Sequence, residues 1–161
     1  MLRSSLLRSS LWGALGAVFV LTPTAVPQQP AKVQPKLEPV AETRLLMEGL
    51  AHSNFRGLER LLAEKPGEVK QWTFARGQAL LIAETANLLM LRPPKSQGQA
   101  VWFDRAMELR TSAKQLANTL AGQDYDKSKA GLVGLATTCN RCHQAFRVQV
   151  EIAAFADKGV D

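Results

Sequence analysis

From residue 41 to beyond residue 140, apolar side chains recur every three or four positions, in runs broken by proline and glycine. This spacing marks helices that each bury one face, and no stretch reads as an alternating strand. In the first run, roughly 40–63, Met47, Leu50, Ala51, Phe55, Leu58, Leu61 and Leu62 form one stripe, and Lys65-Pro66-Gly67 ends it. In the second, roughly 68–91, the stripe is Trp72, Ala75, Ala79, Ile82, Ala86 and Leu89. Arg92-Pro93-Pro94 stops it, because proline cannot continue a helix and restricts its predecessor. The third, roughly 97–121, carries Trp102, Ala106, Leu109, Ala113, Leu116 and Leu120, with Phe103 and Met107 beside them and Gly122 as a stop. The fourth starts at Asp124 or Asp126, either of which can cap it, and its stripe is Leu132, Leu135, Cys139, Cys142 and Phe146. Four amphipathic helices with short connections predict an all-α fold, an antiparallel up-down-up-down four-helix bundle.

The fourth stripe contains the sequence Cys139-Asn140-Arg141-Cys142-His143, and these are the two cysteines of the whole chain. C-x-x-C-H is the attachment sequence of a c-type haem. Two thiols at this spacing meet the two vinyl groups and form thioethers, and the histidine after the second ligates the iron. One covalent haem c per chain is therefore expected, on the last helix, with Cys139 and Cys142 holding it and His143 as proximal iron ligand. Three other readings are weaker. Zinc wants four ligands, and the chain has two Cys and two His, with neighbouring side chains on a helix pointing apart. A C-x-x-C redox pair sits where a strand enters a helix. Cysteines three apart on a helix are badly placed for a disulfide. Gly131, Gly134 and Ala136, just upstream, either let a flat macrocycle approach the backbone or serve close helix packing.

The N-terminal segment, 1–27, reads as a secretory signal: Arg3 and Arg8 precede the apolar run Leu11–Leu21, which Thr22-Pro23 breaks. The run is shorter than the roughly 20 residues of a membrane span, so no membrane insertion is expected once the signal is removed; the alternative is an uncleaved N-terminal anchor. Residues 28–40, rich in Pro and Gln, read as a flexible leader, and 41–157 as one folded domain. Lys and Arg number 20 against 14 Asp and Glu. The basic residues are spread out and not interleaved with aromatics, so nucleic acid is not an expected partner. The charge is a solvated surface with a bias toward acidic redox partner proteins.

With these features together, the chain resembles the class II c-type cytochromes, the cytochrome c prime family and its low-spin relatives. The resemblance covers about 41–150, is specific at Cys-Asn-Arg-Cys-His-Gln-Ala-Phe-Arg (139–147) and generic elsewhere. It implies a periplasmic location, since bacterial haem c is attached outside the cytoplasmic membrane. By analogy it also implies a homodimer through the first two helices. The family carries an aromatic and a basic residue after the haem histidine, and Phe146 and Arg147 stand there. Arg147, four positions after His143, either pairs with a haem propionate or is a solvated charge.

In the family the first helix supplies the side chain opposite the histidine. Arg44-Leu45-Leu46-Met47 is similar to the Met-ligated type, which makes Met47 the candidate sixth ligand, a soft thioether that raises the reduction potential and closes the iron. The alternative is that Met47 fills the core. His52 is its rival. On an α-helix His52 lies about 140° round from Met47, so the two are not expected to share a face. Met90 and Met107 are expected in the core. The expected function is one-electron transfer by an exported haem protein. The alternative is a five-coordinate iron that binds small gases such as nitric oxide or carbon monoxide. An enzyme is not expected, because a peroxidase wants placed distal acid–base groups and the first helix offers only Glu48 and His52.

Overall fold

The computed structural model describes residues 36–155. The signal-like segment 1–27, positions 28–35 of the leader and the domain end at 157 lie outside the described residues. Among the described residues the protein is all-helical, with four helices and no strand. Helix α1 covers 43–61 and is a composite: an α-turn Thr43–Leu46, a π-helical turn Met47–His52 and an α-helical part Ser53–Leu61. Helix α2 is Val69–Met90, α3 is Gln99–Ala121 and α4 is Tyr125–Ala145. None of these is long and apolar enough to cross a membrane.

The helix ends follow from local chemistry. Before α2, the Gln71 side-chain oxygen accepts from the N–H groups of Gly67 and Glu68 at 2.9 and 3.0 Å, satisfying donors that a helix start leaves free. Gly98 precedes α3 with φ +81°, a left-handed conformation that glycine adopts without cost. Of the two aspartates that can cap α4, Asp124 does so, its carboxylate accepting from the Lys127 N–H at 3.1 Å. The Lys127 ammonium, hydrogen-bonded to it at 2.8 Å, holds the Asp124 carboxyl below its ordinary range.

Close packing runs from α1 to α2, from α2 to α3 and from α3 to α4. The stripes predict the core well: all six positions of the second stripe are buried, and so are Ala106, Leu109, Ala113, Leu116 and Leu120 of the third. Leu58, Leu62, Leu116, Leu120, Leu132 and Leu135 are sealed from solvent. Met90 packs against this core, but Met107 is 42% exposed and does not belong to it. Its position beside the Leu109 stripe, one residue too far round α3, turns it to solvent. Gly131 serves helix packing. A Cβ there would stand 3.1 Å from Leu116 Cδ1, so this glycine lets α3 and α4 approach closely.

Two polar links join α4 and the segment after it to α1. The Tyr125 hydroxyl donates to the carbonyls of Leu62 and Ala63 at 3.2 and 3.3 Å. Farther on, the Phe155 N–H donates to Glu59 Oε1 at 2.8 Å, and Lys129 lies over the Phe155 ring, 4.9 Å from its centroid.

Candidate functional site

The motif occupies the last two turns of α4, where Cys139, Cys142 and His143 fall on one side and face a cavity of about 430 Å³. The opposite wall comes from α1 as far as Phe55, including Met47 and Ala51. Ile82 and Leu89 of α2 and Trp102, Arg105 and Leu109 of α3 complete it. The volume is in the range of small-molecule and cofactor sites, and the lining is mostly apolar, as such sites are. Trp102 is fixed by its indole N–H, which donates to the Leu89 carbonyl at 2.7 Å. It packs edge-on against Phe146, with ring centroids 5.1 Å apart at 78°. Phe146 is thus a wall residue. Gly134 and Ala136 are not part of the wall, and neither is Gly131.

Both cysteines are free thiols. Burial pushes Cys139 up to about 12, with the neighbouring Cys142 adding to the rise. Burial also pushes Cys142 up, against the pull of the nearby Arg105 guanidinium. A pair of this kind stays protonated at neutral pH. That is opposite to a C-x-x-C redox pair, whose attacking thiol is lowered. Among the described residues no three of His, Cys, Asp and Glu converge to hold a metal ion, so the groups that would make a protein-only zinc site are not assembled there.

His143 is half-buried, and its Nδ1 lies 2.7 Å from the Val150 carbonyl. A carbonyl only accepts, so Nδ1 carries a proton and Nε2 is the nitrogen left to ligate. Metal-bound histidines are oriented by a contact of this kind. Val150 belongs to a segment that doubles back over the end of α4. The turn is made at Arg147, with φ +55°, where the Arg147 N–H bonds the Gln144 carbonyl and the Val148 N–H bonds the His143 carbonyl at 2.8 Å. This is a Schellman C-cap with arginine where glycine is usual. Arg147 is exposed and stands outside the cavity wall; the structure gives it a backbone task. Beyond it, Val148, Val150 and Ile152 line the cavity while Gln149 and Glu151 are exposed. Sequence reasoning missed this segment. Its signal was the period-two alternation Val-Gln-Val-Glu-Ile, legible as an extended stretch with one apolar side.

Met47 is half-buried and lines the cavity across from the motif. His52 is exposed, as its surface reading has it, but it also lines the cavity, which corrects the expectation that the pair cannot share a face. The expectation assumed an α-helix. The intervening turn is π-helical, and its i→i+5 pattern stacks residues five apart. The polar residues after it sustain that turn: Ser53 Oγ donates to the Glu48 carbonyl at 3.0 Å and Asn54 Nδ2 to the Leu50 carbonyl at 2.7 Å. Glu48 also lines the cavity and is ion-paired with Arg44 at 2.9 Å.

A larger, open hollow of about 970 Å³ lies on the α1–α2 face, with Phe74, Gln78 and Leu81 in its wall. It contains no thiol, imidazole or thioether, so the chemistry-bearing site is the smaller cavity. Comparison with protein-family models, with curated proteins and with solved structures found no match for this chain.

Proposed function

We propose that the chain is an exported class II c-type cytochrome that holds one covalent haem c and transfers single electrons. The observation that carries this reading is the convergence on one apolar cavity of two free thiols, an imidazole held through Nδ1 and, across from them, a thioether. These residues fit the group. Cys139 and Cys142 would hold it by thioethers, His143 would offer Nε2 as the proximal ligand, and Met47 would stand on the distal side. A porphyrin supplies four of the iron's ligands itself, so one or two protein ligands suffice. When bound, the haem supplies an iron centre that cycles between two oxidation states one electron apart.

The chain's own residues do the rest. Ile82, Leu89, Leu109 and Phe55 keep the site dry, which favours a small reorganisation on electron exchange. The thioether of Met47 would raise the potential and exclude outside ligands. Val148 and Val150, 47% and 54% exposed, are apolar groups at the cavity that a filled site would cover.

The up-down-up-down arrangement is part of the same reading. The cavity draws mainly on the first half of α1, on the second half of α2, the first half of α3 and the end of α4. Alternating halves meet at one end when successive helices run antiparallel. A homodimer through α1 and α2 is supported by Phe74 and Leu81, 62% and 46% exposed on the open hollow of that face. The remaining expected partners are acidic redox proteins.

The test is the visible spectrum of the reduced, exported protein with and without carbon monoxide. A sharp low-spin spectrum indifferent to carbon monoxide is expected. A high-spin spectrum that shifts with the gas would replace electron transfer by gas binding. A spectrum without a haem band would end both readings.

A further inference from the structure

The contact on His143 is held in place by a residue between the two cysteines. Asn140 is half-buried on α4, and its side-chain amide pairs with the backbone of Ile152 in both directions. Nδ2 donates to the Ile152 carbonyl at 2.8 Å, and Oδ1 accepts from the Ile152 N–H at 2.8 Å. A primary amide has the donor and acceptor of a peptide group, so Asn140 stands where a neighbouring strand would be. The extended segment has no strand partner among the described residues, and its backbone groups need one.

The segment is pinned on both sides of Val150. On one side the Val148 N–H bonds the His143 carbonyl at 2.8 Å; on the other Asn140 holds Ile152. Two residues of chain on either side leave Val150 little freedom, and its carbonyl is delivered to Nδ1 of His143 at 2.7 Å. The apolar alternation of Val148, Val150 and Ile152 adds to the hold by laying one side of the segment along the cavity.

We infer that Asn140 is a positioning residue: through Ile152 it holds the Val150 carbonyl on His143, fixing the tautomer and orientation of the imidazole. With the haem reading above, on which this part rests, it thereby sets the donor strength of the proximal ligand. A hydrogen bond from Nδ1–H makes the ring a stronger donor and favours the oxidised iron. Loosening the brace weakens that donation and raises the reduction potential.

The test uses the full exported chain, as wild type, Asn140→Ala, Asn140→Asp and Gln149→Ala. Two quantities are read: exchange of the His143 Nδ1 proton by NMR in the reduced protein, and the reduction potential. In Asn140→Ala the proton exchanges roughly tenfold faster, the scale of one lost hydrogen bond, and the potential rises. Asn140→Asp keeps the acceptor for the Ile152 N–H but loses the donor, and falls between. Gln149→Ala, on the exposed side, matches wild type. Unchanged exchange and potential in both Asn140 variants would overturn the inference. The proton is also observable in a chain without haem. A haem-free wild type whose Nδ1 protection drops in Asn140→Ala would keep the brace and sink the haem reading.

Discussion

The two ends of the helix bundle are built from the same sequence period and come out differently. At one end Leu58, Leu62, Leu116, Leu120 and Leu132 close on each other with nothing exposed. At the other, buried Phe55, Ile82, Leu89 and Leu109 are joined by Met47, Trp102, Cys139, Cys142 and Phe146, which are only half-buried around a cavity of about 430 Å³. A leucine end completes itself. An end made of thiols, aromatics and a thioether, with Val148 and Val150 exposed beside it, has apolar surface still to bury. Periodicity tells where a helix faces inward. Side-chain type tells whether what it faces is protein.

The strongest way to break this comparison is to leave the open end unfilled. Cys139→Ala with Cys142→Ala removes the proposed covalent attachment. The resulting apo-chain should lose stability on the order of 5 kcal/mol, at about 25 cal/mol for each Å² of apolar surface no longer covered. Calorimetry of holo and apo forms checks this, and equal, equally cooperative melting would contradict it. Next in size, Leu132→Ala in the closed end should cost about 2–5 kcal/mol, the usual range for a buried leucine, and leave the visible spectrum alone. Phe146→Ala in the open end should cost less than Leu132→Ala in the apo-chain, because its ring is already half solvated there. In the holoprotein the two costs should converge. Urea titrations of both variants in both forms would show whether the difference between the ends disappears on filling.

Met47→Ala should change stability by under about 2 kcal/mol and convert a low-spin spectrum to a high-spin one that binds carbon monoxide. Pairing it with His52→Ala sharpens the result, since both side chains line the cavity. An unchanged spectrum in the double variant would remove the distal assignment. The smallest effect is expected at Arg147. Its φ of +55° is a conformation that costs an L-residue about 1–2 kcal/mol, so Arg147→Gly should be neutral or stabilise by up to about 1 kcal/mol. A marked loss of stability there would show that the guanidinium, and not the turn, is what the position requires.

Much of this was legible in the sequence because the helical stripes are long and the breakers strong. Trp72 to Leu89 and Ala106 to Leu120 could be placed in the core by spacing alone. The motif residues could be put on an inward face for the same reason. What escaped were features in which local chemistry overrides a uniform period. The π-turn at Met47–His52 shifts the register by one residue and brings His52 round to the cavity. Its trace in the sequence is the Ser53-Asn54 pair, whose side chains return to carbonyls four and five residues back. That signal is too local for an apolar-period reading to see. The sequence presents Arg147 as a propionate partner or a solvated charge, whereas its backbone makes the turn. A left-handed arginine has no signature when glycine is the usual marker. The 148–152 segment was legible as an alternation but short, and it has no partner strand; Asn140, inside the motif, stands in for one.

The central claim is that the open end is completed by a group bound to Cys139 and Cys142. The intact mass of the chain purified from a host that exports and matures c-type cytochromes tests it most directly. The account predicts a single species heavier by one haem than the processed chain, with both thiols resistant to alkylation and the extra mass absent from the double alanine variant. A wild-type chain of unmodified mass, with both thiols open to alkylation after denaturation, would contradict it.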